Sequence, residues 1–143
     1  MEKAKQFIIK KKDMSTRATI RFATREDGVT FSEHPKKWNA QFYCHSDGYP
    51  EGLGLDIAEM IDSCKHVGSW EIEHVDVVHG DIEYMYYIWQ DHGKDIWISI
   101  FEMHQWEDKD AECIFVGTPK KLLIKYGSQL EDSYYKLNTN DDG

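Results

Sequence analysis

The segment YCHSDGYPEGLG, Tyr43 to Gly54, gathers the residue types of this chain that do chemistry into twelve consecutive positions. His45 brings an imidazole, Asp47 and Glu51 carboxylates and Tyr49 a phenol, while Gly48 and Gly52 let backbone amides come close to a ligand. A strand that runs through such a loop into a helix collects free N–H groups and the positive end of the helix dipole at one point, which makes an anion site. Two acids in the same loop oppose a phosphate unless they hold a metal or accept from a hydroxyl, and the phosphate-cradling pattern GxxxxGK[ST] is not in the sequence. His45, Asp47, Gly48, Tyr49, Glu51 and Gly52 are therefore the candidate ligand-binding residues, and Arg21, with Arg17 and Arg25, is the candidate cation. The competing reading of the same letters is a tight connection, with Gly48 at positive φ, Asp47 or Ser46 capping free amides and Tyr49 stapling the helix.

Catalytic and metal constellations are weaker. Cys44 adjoins His45, but successive strand residues point to opposite faces, so the pair makes no thiolate–imidazolium contact and Cys44 is expected in the core. His45, Ser46 and Asp47 have the letters of a triad, but three adjacent residues cannot adopt its geometry, and no GxSxG elbow is present. His45, Asp47, His79, Asp81 and His92 all fall in expected loops and offer donors that suit zinc, iron or manganese. There is no HExxH, however, and two short loops easily produce the repeated His-x-Asp, so no metal and no cofactor is assigned. His34, His66, His74 and His104 read as surface or edge residues.

The elements that must position these groups follow from periodicity. Ala18, Ile20 and Phe22 alternate with polar neighbours as in a half-buried strand, and Glu26-Asp27-Gly28 turns into a second strand at Val29-Thr30-Phe31. Trp38 to Cys44 alternates again, giving an expected three-strand meander. Leu53, Ile57, Met60, Ile61 and Cys64 recur at three- and four-residue spacing, which predicts an amphipathic helix from about 51 to 64 with Pro50 in its first turn. Residues 70–78 read as a strand, and Tyr84–Gln90 with Ile96–Met103 as a hairpin around Asp91–Asp95. In its second arm the apolar residues point both ways, so that strand is central and covered on both faces by helices or a second chain. A run at Cys113–Val116 precedes Thr118-Pro119, an N-cap with Pro at the first helical position, and a short helix over 119–126 buries Leu122, Leu123 and Tyr126 before Gly127. A further helical turn is expected at Leu130–Leu137. The fold class is α+β: a mainly antiparallel sheet of about five to six strands, order βββ-α-βββ-α, with two helices packed on one face. The aromatic run Tyr84 to Trp89 is best read as cross-strand packing; a face left uncovered would favour a homodimer.

The 143 residues, 41% hydrophobic and 13% aromatic, suit one domain with a sizeable core. Residues 1–13 hold five lysines against two acids, so a basic extension of +3 leaves −12 on the rest of a chain whose net charge is −9. Lys10 to Lys12 are its candidate contacts with an acidic partner. The expected organisation is that arm, a single domain over 14–137 and a frayed tail over 138–143. The negative balance argues against general nucleic-acid binding. Cys44, Cys64 and Cys113 form no CxxC spacing, which points to a reducing compartment, and no apolar run is long enough to span a membrane; the expected location is cytoplasmic.

Met14-Ser15-Thr16-Arg17-Ala18-Thr19-Ile20, followed by Tyr43-x-His45-x-Asp47-Gly48-Tyr49-Pro50-Glu51-Gly52, resembles a group of small bacterial and phage proteins that open with an MSTRAT-like strand and carry an HxDGYPEG-like loop before a helix. The likeness covers residues 14 to about 60. No established activity attaches to that group, so the resemblance implies a mobile-element origin and an intracellular setting rather than chemistry. It also makes Met14 the usual start, from which residues 1–13 depart. The function expected is a noncatalytic binding or interaction protein of phage or prophage type. It would act in counter-defence by sequestering a small nucleotide-like ligand or by blocking a host protein. The alternatives are a small metal- or His-dependent phosphoesterase-like hydrolase using His45, Asp47 and His79, and an acidic inhibitor that mimics DNA.

Overall fold

The computed structural model of the chain describes residues 16–26, 28–63, 70–91, 95–104 and 109–127. The expected basic arm with Lys10 to Lys12, Cys64, His66, His92, the helical turn at 130–137 and the tail at 138–143 lie outside the described residues.

Six strands, β1 (Ala18–Thr24), β2 (Ala40–Cys44), β3 (Glu71–Glu73), β4 (Tyr84–Gln90), β5 (Ile96–Glu102) and β6 (Glu112–Gly117), form one sheet in the order β3-β2-β1-β4-β5-β6. The α+β class expected from the sequence is the class observed. The sheet is mixed rather than a plain meander, because β1 and β4 at its centre run parallel while every other pair is antiparallel. Helix α1 (Leu55–Ser63) is entered through a wide turn at Pro50–Gly54, and α2 (Pro119–Leu122) continues into a wide turn at Leu123–Gly127. Thr118 caps α2 as its sequence predicts, its side chain accepting from the amide of Lys121. No described helix is long and apolar enough to cross a membrane.

Strand alternation sorts the side chains onto two faces. Ala18, Ile20, Tyr86, Ile88, Ile98, Ile100 and Phe115 pack with Leu53, Ile57 and Ala58 of the first helical segment and with Leu122 and Tyr126 of the second. The opposite face carries Ala23, Tyr43, Met85, Tyr87, Trp89 and Phe101, and residues of two connections pack over it. Phe31 from the β1–β2 connection stacks on Trp97 at 5.0 Å and meets Trp89 edge-on at 5.5 Å, and Ile82 from the β3–β4 connection joins the same cluster. The aromatic run Tyr84 to Trp89 is thus divided between the two faces.

Val29–Phe31 is not a strand. Gly28 at φ 85 and a turn closed by the Val29 amide on the Glu26 carbonyl bend the chain, and Val29 and Phe31 then lie on the sheet instead of pairing within it. The expected strand at 70–78 shortens to Glu71–Glu73, since the Val77 amide closes a turn on the His74 carbonyl and the His74 imidazole accepts from the Asp76 amide. The observed order is therefore ββ-α-ββββ-α, with the run at Cys113–Val116 taken up into β6.

Candidate functional site

The loop between β2 and α1 is fixed by its neighbours before any ligand is considered. The Gly48 amide donates to the Thr16 carbonyl at 2.9 Å, and the buried Tyr86 hydroxyl donates to the Gly48 carbonyl at 2.6 Å. Positive φ falls on Asp47, at 57°, and not on Gly48. Gly48 is required for a different reason: a Cβ there would stand 2.8 Å from both Ala18 Cβ and the Thr16 carbonyl oxygen. Gly52 is held in the same way, its would-be Cβ 2.7 Å from the Asp47 carbonyl oxygen.

The loop amides are engaged internally, Gly52 to the Tyr49 carbonyl and Leu53 to the Asp47 carbonyl. The expected cap by Asp47 or Ser46 is replaced by a Tyr49 N-cap that makes no side-chain cap hydrogen bond; the Asp47 carboxylate accepts instead from the Tyr49 hydroxyl at 3.3 Å. Glu51 sits in the first turn, where its charge helps raise the Tyr84, Tyr86 and Tyr126 phenols, after burial as the main cause.

His45 is the residue of this loop that reaches a wider constellation. Its ring meets Tyr43 edge-on at 4.6 Å, while His79, from the β3–β4 connection, stacks on the same Tyr43 ring at 3.9 Å. The two His-x-Asp segments, 34 residues apart in the chain, thus converge on one phenol. Each imidazole has its own carboxylate: His45 Nε2 lies 3.1 Å from Glu71, and His79 Nε2 lies 2.8 Å from both oxygens of Glu73. A carboxylate only accepts, so each Nε2 donates to its glutamate, which fixes the orientation of each ring. The pairs differ in setting, since the His45 side chain is 60% exposed and that of His79 only 23%. Beside them Arg17 pairs with Asp81, and burial, followed by the Asp81 charge, pushes the Tyr43 phenol up.

β3 supplies both carboxylates because Glu71 and Glu73, two apart, share one face and lie opposite Tyr43 and Gln41. A continuous row Tyr87–Arg21–Gln41–Glu73 then crosses four strands. Gln41 is fully buried, and all four of its hydrogen-bonding positions are filled: Oε1 accepts from Arg21 Nε at 2.9 Å and Trp38 Nε1 at 3.1 Å, and Nε2 donates to Glu73 at 3.1 Å and the Val77 carbonyl at 2.8 Å. Arg21 also lies 3.7 Å from the Trp38 ring centroid and donates to the Tyr87 hydroxyl, which bonds His34 Nδ1 at 2.7 Å.

Arg21, proposed from the sequence as a ligand cation, is therefore joined to the His79–Glu73 pair through Gln41 and not to the 45–52 loop. Arg25 lies beyond the far end of β1, 3.5 Å from Asp91. Tyr43, Glu71, Glu73 and Gln41 were not legible as site residues. The period-2 spacing of the two glutamates was the available signal, but the strand opposite them is set by the tertiary pairing.

Comparison with family models, with curated proteins and with solved structures gives no match to this chain.

Proposed function

We propose that the protein is a noncatalytic binding protein whose ligand is a small, hydrogen-bond-donating molecule of nucleoside type, held at the Tyr43 cluster. The observation that carries this reading is the convergence of His45 and His79 on Tyr43, each imidazole paired with a glutamate of β3. The His45 ring, its side chain 60% exposed, suits stacking on a planar base. Glu71, its side chain 67% exposed, and Asp81 offer acceptors to exocyclic amines and ribose hydroxyls, and the carboxylates of the cluster repel phosphates, because Arg17, the cation beside them, is already paired with Asp81. The charge of the site thus favours the nucleoside end of a nucleotide-like ligand. Titration calorimetry of the full chain with adenosine, AMP and ATP tests this. Affinity is expected to fall with each added phosphate and to drop in His45→Ala and Glu71→Gln, both exposed positions whose loss leaves the core intact. Binding of ATP in preference to adenosine, or of none of the three, contradicts it.

One observation favours a second reading. A tyrosine flanked by two carboxylate-oriented imidazoles is also equipped to move protons, as a small His-dependent phosphoesterase-like hydrolase requires. Turnover of phosphoester substrates that disappears in both His45→Ala and His79→Ala would select this reading over the first.

A further inference from the structure

A second group of donors stands at the opposite edge region of the sheet, on residues that the Tyr43 cluster does not use. Glu102, the last residue of β5, lies directly across from Glu112, the first of β6. His104 follows two residues later at φ 52, which turns the chain as it leaves the strand. One donor atom from each of Glu102, His104 and Glu112 falls within 4.8 Å of the other two. Like charges directly opposite one another destabilise a strand pair, and among the described residues no lysine or arginine forms an ion pair with either glutamate.

We propose that Glu102, His104 and Glu112 form a binding site for one divalent first-row cation. The argument is geometric and chemical. Around an ion with ligand distances of about 2.0–2.2 Å, two donors stand no more than ~4.4 Å apart, close to the observed bound of 4.8 Å, and Glu112 is the exposed member of the three. One imidazole with two carboxylates is a borderline donor set, which suits Zn²⁺, Mn²⁺ or Fe²⁺ and leaves positions open for water, whereas Ca²⁺ prefers six or more oxygens. The cation neutralises the Glu102–Glu112 repulsion and ties the end of β5 to the start of β6. It thereby fixes the residues that lead into the 105–111 connection. The site is independent of the Tyr43 cluster, which lies on the other face of the sheet and contributes none of its donors.

The test is calorimetric titration of the chelator-treated full chain with ZnCl2 and, separately, MnCl2. The structure predicts uptake of one equivalent of at least one ion. It also predicts affinity weakened about tenfold or more in both Glu112→Gln and His104→Gln, since even outer-shell changes cost 10–100-fold. His74→Ala, an exposed histidine outside the donor set, is expected to bind as the parent does. Thermal unfolding without metal identifies any variant that has lost its fold, and Glu112, being exposed, supplies the variant that keeps it. Absence of stoichiometric uptake of either ion, or affinity unchanged in Glu112→Gln, overturns the proposal.

Discussion

Gln41 shows how a single amide can organise a face. Both lone pairs and both N–H groups of its side chain are in use at a fully buried position, so its orientation is determined. Gln41→Leu keeps the volume but leaves Trp38 Nε1, Arg21 Nε and the Val77 carbonyl without that partner. With each unpaired buried group costing about 1–3 kcal/mol, we expect a loss of roughly 3 kcal/mol in urea unfolding. His34 responds to pH from the far end of the same row. Burial, then the Arg21 charge, lowers its pKa from the ordinary 6.5. The neutral ring accepts from the Tyr87 hydroxyl, whose oxygen already accepts a hydrogen bond from Arg21. A depressed histidine means that the unfolded chain binds the proton more tightly. Its contribution to stability is therefore complete above 6.5 and is lost as pH falls below that value towards the folded pKa. Urea midpoints between pH 7 and 5 should fall less steeply in His34→Gln than in the parent, and equal slopes would remove His34 from the account. Cys44 marks what sequence reads well at this scale: strand alternation sends it into the core, away from His45, and burial raises its thiol. The role of Gln41 was not legible, because it depends on three partners between 20 and 36 positions away and on a neighbour three positions off.

At the scale of elements, the loop from Cys44 to Gly54 is a connection first and a site second. Its glycines answer to packing. Gly48→Ala must displace the Thr16 backbone and Ala18 Cβ, whereas Gly28→Ala meets open space and suffers only from its positive φ. We expect Gly48→Ala to cost about 3 kcal/mol, the upper end of overpacking, and Gly28→Ala about 1 kcal/mol, both measured by denaturant unfolding. The same contrast explains which elements were readable. β4, β5 and α1 carry long periodic runs, and Thr118-Pro119 has its cap chemistry in the local sequence, so these were recognised with nearly the right bounds. Val29–Phe31 has strand-like letters, but its apolar residues serve as a lid on Trp89 and Trp97, a use that only the tertiary structure distinguishes from pairing. The parallel pairing of β1 with β4 was beyond reach for a related reason. Nothing local to either strand records that the chain returns to the middle of the sheet.

For the whole molecule, each face of the sheet has its own kind of cover, helical segments over one and connections over the other. The connections bring the chemistry. The chain between β3 and β4 delivers His79 and Asp81, and the start of the loop after β2 delivers His45, so the site forms where these two segments meet at Tyr43. Sequence supplied the candidates at His45 and His79 but not their meeting, which requires β3 to lie beside β2 and the chain to fold back over that pair. The most direct test of the central claim is histidine side-chain NMR of the full chain during titration with adenosine. The account predicts saturable shifts of the His45 and His79 ring resonances, with the His74 ring unmoved. Shifts confined to other histidines, or none at saturating ligand, would contradict it.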